Sequence, residues 1–161
     1  MTKRINVHLT NDSIASAAKE LRRYAAWVEQ KEVELCTRLA QIGLNVAKIN
    51  FEMAAYDGLN DVTVRVDQTG SVAVIYAEGS AVAFIEFGSG AKYGYGHPDA
   101  AKHGFGPGTY PSDKGLWNNE KGWWFGSGQH SYGNPPAMAM WKAVQEMIEQ
   151  ITQIAREVFS T

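Results

Sequence analysis

The most regular feature of the chain is an apolar stripe in its first third. Ile14, Ala18, Leu21, Ala25, Val28, Leu35, Leu39, Ile42, Val46, Ile49 and Met53 recur at alternating spacings of four and three, with the charged Glu32 filling one slot. Residues three and four apart share one face of an α-helix, so the stripe predicts an amphipathic helix or helix pair over 12–56. Asn11, Asp12 and Ser13 offer side chains that accept hydrogen bonds from a helix start, and Asp57-Gly58 is a stop signal. The stripe breaks at Glu29-Gln30-Lys31-Glu32, read as either a hinge between two helices or the exposed middle of a long one. Small residues and one charge in the stripe make a weak zipper, so a core face packed on a sheet is the preferred reading over a coiled coil.

The pattern then changes period. Val62, Val64 and Val66 alternate with Thr63 and Arg65, and Val72, Val74 and Tyr76 alternate again after a turn at Asp67-Gln68-Thr69-Gly70. Glu78-Gly79-Ser80 reads as a second turn and Val82-Ala83-Phe84-Ile85-Glu86-Phe87 as a third strand. Alternation means one face toward a core, so residues 61–87 predict a three-stranded antiparallel β-meander on the N-terminal helices. A second helical stripe closes the chain. Asn134-Pro135-Pro136 reads as a helix start, and Ala137, Trp141, Val144, Ile148, Ile151, Ala155 and Val158 repeat at four and three over 135–159, with Met140, Met147 and Ile154 widening the face. The fold class expected is therefore α+β, in a single domain covering 1–161, a length that buries roughly 70% of the unfolded chain's surface.

Between these elements lies a segment of different composition. Residues 88–134 hold twelve of the 16 glycines and three of the five tryptophans. Linkers are poor in aromatics, so this is read as an ordered or partner-ordered loop. Tyr93, Tyr95, Phe105, Tyr110, Trp117, Trp123, Trp124 and Tyr132 are its candidate partner contacts, because aromatic rings supply large rigid contact area.

The charge balance limits the functions open to the chain. A net charge of -2 argues against a protein whose main task is neutralising nucleic-acid phosphates. The single cysteine, Cys36, forms no internal disulfide, and no apolar run reaches the length of a membrane span or follows the basic pair near Met1 as in a signal peptide. A chain made and folded in a reducing cytoplasm is expected, without a membrane partner.

Candidate chemistry is sparse. His97, Asp99 and His103 lie close in sequence, with His8 and His130 elsewhere, but their spacing matches no zinc motif, and no metal or cofactor is expected. Cys36 sits beside the apolar stripe and reads as a half-buried residue. Gly88-Ser89-Gly90 and Gly126-Ser127-Gly128 lack the nucleophile-elbow spacing, and Gly104-Phe105-Gly106-Pro107-Gly108 lacks the Lys of a P-loop. Glu86 interrupts an apolar run. It is either a catalytic acid, with Asp99, Asp113 or Glu120 as second carboxylate, or a carboxylate taking backbone or Arg hydrogen bonds at a strand end; the second is preferred.

The segment Ala83-Phe84-Ile85-Glu86-Phe87-Gly88-Ser89-Gly90, followed downstream by Pro135-Pro136-Ala137-Met138-Ala139-Met140, resembles the signature of the gene-ten-like neck and tail-component proteins of tailed phages, a family related to the lambda minor tail protein Z type. The likeness spans roughly residues 35–145. Glu86, Phe87, Gly88, Gly90, Pro135 and Pro136 carry it, while Met138 and Met140 stand where the family has an aromatic. The resemblance implies a non-enzymatic virion protein at the head–tail junction. Its partners would be copies of itself in a sixfold ring and adjacent connector, tail-tube or terminator proteins, without specific nucleic-acid binding. Two other readings stay open: a carbohydrate- or peptidoglycan-directed protein, suggested by aromatics near Glu86, and a protein-binding adaptor unrelated to phage.

Overall fold

A computed structural model of the chain describes residues 8, 10–90, 93, 96–104, 121–124 and 128–160. The fold is α+β: a long N-terminal helix, two antiparallel sheets of two strands each, and a C-terminal helix. Among the described residues no helix is long and apolar enough to cross a membrane.

Helix α1 (Asn11–Glu52) is one unbroken helix of 42 residues, about 63 Å at 1.5 Å per residue. The run at 29–32 lies inside it and is not a hinge: Glu29, Gln30 and Glu32 are exposed and Lys31 is half-buried. The cap is Thr10, one residue before the expected trio; its side chain accepts the Ser13 N–H at 3.4 Å. The helix ends at Glu52, four residues before Tyr56, with Met53 as its C-cap.

Strands β1 (Thr63–Thr69) and β2 (Val72–Glu78) form a hairpin across a Gly70-Ser71 turn, with Gly70 in the left-handed region that such turns require. Val64 faces Ala77 and Val66 faces Ile75 in the register. The inner face of β2 is therefore Ala73, Ile75 and Ala77, and the residues singled out by hydropathy, Val72, Val74 and Tyr76, point outward and are exposed. The guanidinium of Arg65 lies 4.6 Å from the Tyr76 ring centroid on that outer face.

The expected third strand is a helix. Residues 82–87 form α2 (Val82–Phe87), so the sheet stops at two strands. A short apolar run between turns carries no period that separates buried strand from buried helix. Asp61 decides it here. Its carboxylate accepts the Ser80 N–H and hydroxyl, both at 2.7 Å, and the Ala81 N–H at 2.9 Å. This satisfies N–H groups where α2 begins and turns the chain away from the hairpin. Those bonds hold the Asp61 carboxyl below its ordinary range, at about 2.

Helix α3 (Ala139–Ser160) has 22 residues and runs antiparallel to α1: Lys142 Nζ bonds Asn50 Oδ1 at 2.9 Å, Arg38 pairs with Glu157, and Phe159 meets the Trp27 ring edge-on at 5.9 Å. The helix begins three residues after Pro136, because Ala137 N–H bonds Ile85 O and Met138 N–H bonds Glu86 O, drawing the proline segment alongside α2. The core gathers Ala47, Phe51, Val64, Ala81, Ile85, Ala139 and Ala143. Alanines share the deepest positions with Phe51, Ile85 and Val158, and glycine sets the closest approach: a Cβ on Gly43 would fall 2.5 Å from Ile75 Cδ1 and 2.7 Å from Met147 Sδ, so hairpin and α3 approach α1 where it has least side chain. The larger Leu39, Ile42 and Val46 flank that line of approach, half-buried.

Candidate functional site

The charged and polar groups that reach the interior converge where α2, the start of α3 and the glycine-rich segment meet. Glu86 sits on the inner side of α2, next to the fully buried Ile85. Its Oε2 accepts the Met140 N–H at 2.9 Å and its Oε1 accepts the Trp141 N–H at 3.0 Å. These are first-turn amides of α3, which have no partner within the helix. A carboxylate there also faces the positive end of the helix dipole. Glu86 thus caps a helix that lies more than fifty residues downstream.

His97 completes the arrangement. Its Nε2 lies 3.2 Å from Glu86 Oε1, and its Nδ1 accepts the Asp99 N–H at 3.0 Å. An accepting Nδ1 carries no proton, so the geometry selects the tautomer in which Nε2–H donates to Glu86. Both side chains are buried. Phe87 packs its ring against His97 at 4.5 Å and His103 at 5.4 Å. Asp99 is linked to Glu86 through His97 by its backbone alone. Its carboxylate binds Lys102, the main reason its pKa is lowered.

A second polar pair locks the two ends of the glycine-rich segment. Ser89 and Asn134 exchange backbone hydrogen bonds at 2.9 and 3.1 Å, their side chains bond each other, and Asn134 Nδ2 donates to Phe84 O at 2.9 Å. Both residues are buried. Gly90 and Gly133 permit this approach: both have positive φ, and a Cβ on Gly133 would overlap the Ser89 carbonyl oxygen. Gly88 lies against the Asn134 carbonyl and Pro136. Pro135 is exposed and Pro136 half-buried.

The expected partner contacts divide. Strand β3 (Trp123–Trp124) pairs with β4 (His130–Ser131), and alternation turns Trp123 inward at 8% exposure and Trp124 outward at 70%. Trp124, His130 and the exposed Tyr132 form a surface row with centroid spacings of 4.6 and 4.5 Å. Tyr93 is half-buried. Tyr95, Phe105, Tyr110 and Trp117, with Asp113 and Glu120, lie outside the described residues. His8 is exposed, far from His97 in sequence, and among the described residues no group of His, Cys, Asp and Glu is arranged to hold a metal ion. Cys36 is half-buried.

Chemically, Glu86 and His97 are engaged in holding backbone. The carboxylate receives three donors and the imidazole uses both nitrogens, an arrangement suited to fixing geometry. The sequence singled out Glu86 as a carboxylate taking backbone or Arg hydrogen bonds at a strand end; the backbone donors are amides of α3, and Glu86 itself lies on a helix. Sequence reasoning passed over Asp61, Ser89 and the role of Asn134, whose only local signal is a small polar residue beside a turn or proline. No protein-family model matches the chain, and no curated protein and no solved structure is significantly similar to it.

Proposed function

We propose that the chain is a structural subunit of a tailed-phage particle, a neck or tail-completion protein that assembles with copies of itself in a ring at the head–tail junction and contacts adjacent connector or tail-tube proteins. The observation that carries this reading is the apolar surface left uncovered on three elements: Ile14 and Leu21 on α1, Val72 and Val74 on β2, and Val144, Ile148 and Ile151 on α3. Val144, Ile148 and Ile151 share one face of α3, and exposed apolar patches of this kind mark interaction sites. The virion placement comes from the resemblance of Ala83–Gly90 and the Pro135-led segment to the neck family. It agrees with the use of Glu86 as an internal cap rather than a reactive acid. Disrupting the gene in the parent phage and imaging the lysate tests it: filled heads beside separate tails are expected, and normal joined particles would sink the proposal.

A second reading, carbohydrate binding, has one observation in its favour. The Trp124–His130–Tyr132 row is an exposed aromatic platform of the kind sugar rings stack on. Titration with cell-wall fragments decides it. Saturable binding lost in Trp124→Ala would place this reading first.

A further inference from the structure

Strand β2 has a free edge. In a hairpin closed by a two-residue turn, Thr69 and Val72 form the first hydrogen-bonded pair, and Asp67 with Val74 and Arg65 with Tyr76 are bonded pairs in the same alternation. The β2 residues between them, Ala73, Ile75 and Ala77, aim their N–H and C=O groups away from β1. Among the described residues these groups meet no hydrogen-bond partner. Native sheets blunt such an edge with lysine, proline or a bulge. β2 uses none of these: 72–78 reads Val-Ala-Val-Ile-Tyr-Ala-Glu, with its single charge at the last position, and it pairs with β1 without a bulge.

A slot of about 320 Å³ lies beside β2. Val74 and Ile75 form one wall, Val144 and Met147 of α3 form the opposite one, and Cys36 and Leu39 of α1 complete it. Every residue lining the slot is apolar. Ile148, one turn on from Val144 and 60% exposed, continues the α3 wall toward solvent.

These two features specify an occupant. Unpaired N–H and C=O groups on alternate residues of a strand are matched by a second extended backbone, whereas a docked helix would leave them unsatisfied. The residues of that backbone lying opposite Ala73, Ile75 and Ala77 point their side chains to the same face of the sheet, toward the helices. Those side chains are apolar, because a charge there would lose its water without gaining a partner. Helix α3 closes the far side, so the slot takes one strand and not a folded hairpin such as that of a second copy.

We propose that a single extended segment of a partner protein, apolar at every second position, adds to β2 as a third strand between β2 and α3. This goes beyond the virion reading and holds or fails without it, since the edge and the slot both belong to the isolated chain.

Hydrogen exchange on the purified protein tests the proposal with three synthetic peptides. One alternates valine with threonine, one has the same composition in two blocks, and one is the alternating peptide N-methylated throughout, which keeps the side chains and removes the backbone donors. In the free protein the Ala73, Ile75 and Ala77 amides should exchange fast, while Val74 and Tyr76 are held by β1. The alternating peptide should slow the three edge amides by about tenfold or more, and the other two peptides should not. Ala73→Pro should abolish the effect, because it removes an outward N–H that the ladder to β1 does not use. Circular dichroism checks the fold of this variant; if it unfolds, the N-methylated peptide makes the same comparison on the unaltered protein. Equal protection by all three peptides would mean apolar docking without strand addition. Protection in the free protein that disappears on dilution would mean a second copy holds the edge. No protection by the alternating peptide would mean that the slot takes no strand. Each of these results overturns the proposal.

Discussion

Glu86 and His97 share a hydrogen bond of 3.2 Å with only 6% and 3% of their side chains exposed to water. Burial of a carboxylate is costly unless donors replace its water. Here the donors are His97 and two amides of α3, so one side chain on a helix of six residues ties together α2, the 96–104 segment and α3.

Glu86→Ala removes a helix cap and strands the Met140 and Trp141 amides and His97 Nε2–H. Losing a cap costs about 0.5–2 kcal/mol, and unsatisfied buried donors about 1–3 kcal/mol. The expected loss is about 2–4 kcal/mol, read from urea unfolding, with Glu86→Gln intermediate because it keeps one acceptor oxygen. A change under about 0.5 kcal/mol, the level of an ordinary surface substitution, would mean the cap is unimportant.

Gly133→Ala should be at least as damaging. The residue has a φ of 96°, and its new Cβ would overlap the Ser89 carbonyl oxygen, a backbone atom without room to retreat. The Ser89–Asn134 bridge has to open. The expected result is loss of amide protection at Ser89 and Asn134 in hydrogen exchange. Gly104→Ala, at similar φ but with open space around it, should leave those amides protected.

The Asp61 turn sets a pH dependence. Its carboxyl is lowered from an ordinary 3.8 to about 2, chiefly by the Ser80 and Ala81 backbone N–H groups. A depressed folded-state pKa contributes stability that is fully present above the unfolded value and disappears as pH falls through the folded one. The Asp61 contribution therefore declines between about pH 4 and pH 2. Asp61→Asn should melt below the unaltered protein at pH 7, and the gap should narrow across that window. A gap that stays constant from pH 7 to pH 2 would contradict the assignment.

Trp123 and Trp124 are adjacent but should behave oppositely. Trp123→Ala opens a cavity under the β3–β4 hairpin and is expected to cost about 3 kcal/mol or more. Trp124→Ala should change stability by less than about 0.5 kcal/mol and alter only what the exposed row binds. Denaturant melts of the two variants separate the roles. Equal stability would place Trp123 at the surface too.

Much of the fold was legible in the hydropathy pattern: a long N-terminal helix, a hairpin at 62–76 and a helix into the C-terminus all follow from period and turn residues. The faces were less legible. Hydropathy weights large residues, so it marked Val144, Ile148 and Ile151 on α3 and Val72 and Val74 on β2. The structure buries Ile154 and Val158 of the expected α3 face together with Ala139 and Ala143, which it did not include, and turns Ala73, Ile75 and Ala77 inward on β2. Elements pack closest where side chains are smallest, as at Gly43, and a hydropathy stripe cannot register that. Of the site, Glu86 stood out as a charge in an apolar run, but its partners lie at positions 97, 140 and 141, beyond any local pattern.

The sequence by itself determined that the N- and C-terminal segments are helical and that the chain around 62–76 is extended, through periodicity, and where the chain turns, through Gly, Pro, Asn and Asp. Those are local choices, set by backbone sterics and by side chains within a few residues. Only the tertiary structure decided that 82–87 is helix, because its start depends on Asp61 some twenty residues earlier. Only it decided that Glu86 holds α3, that Ser89 meets Asn134, and which apolar stripes remain uncovered. These outcomes rest on contacts between distant segments, whose free energy is set by burial and donor matching in the assembled fold.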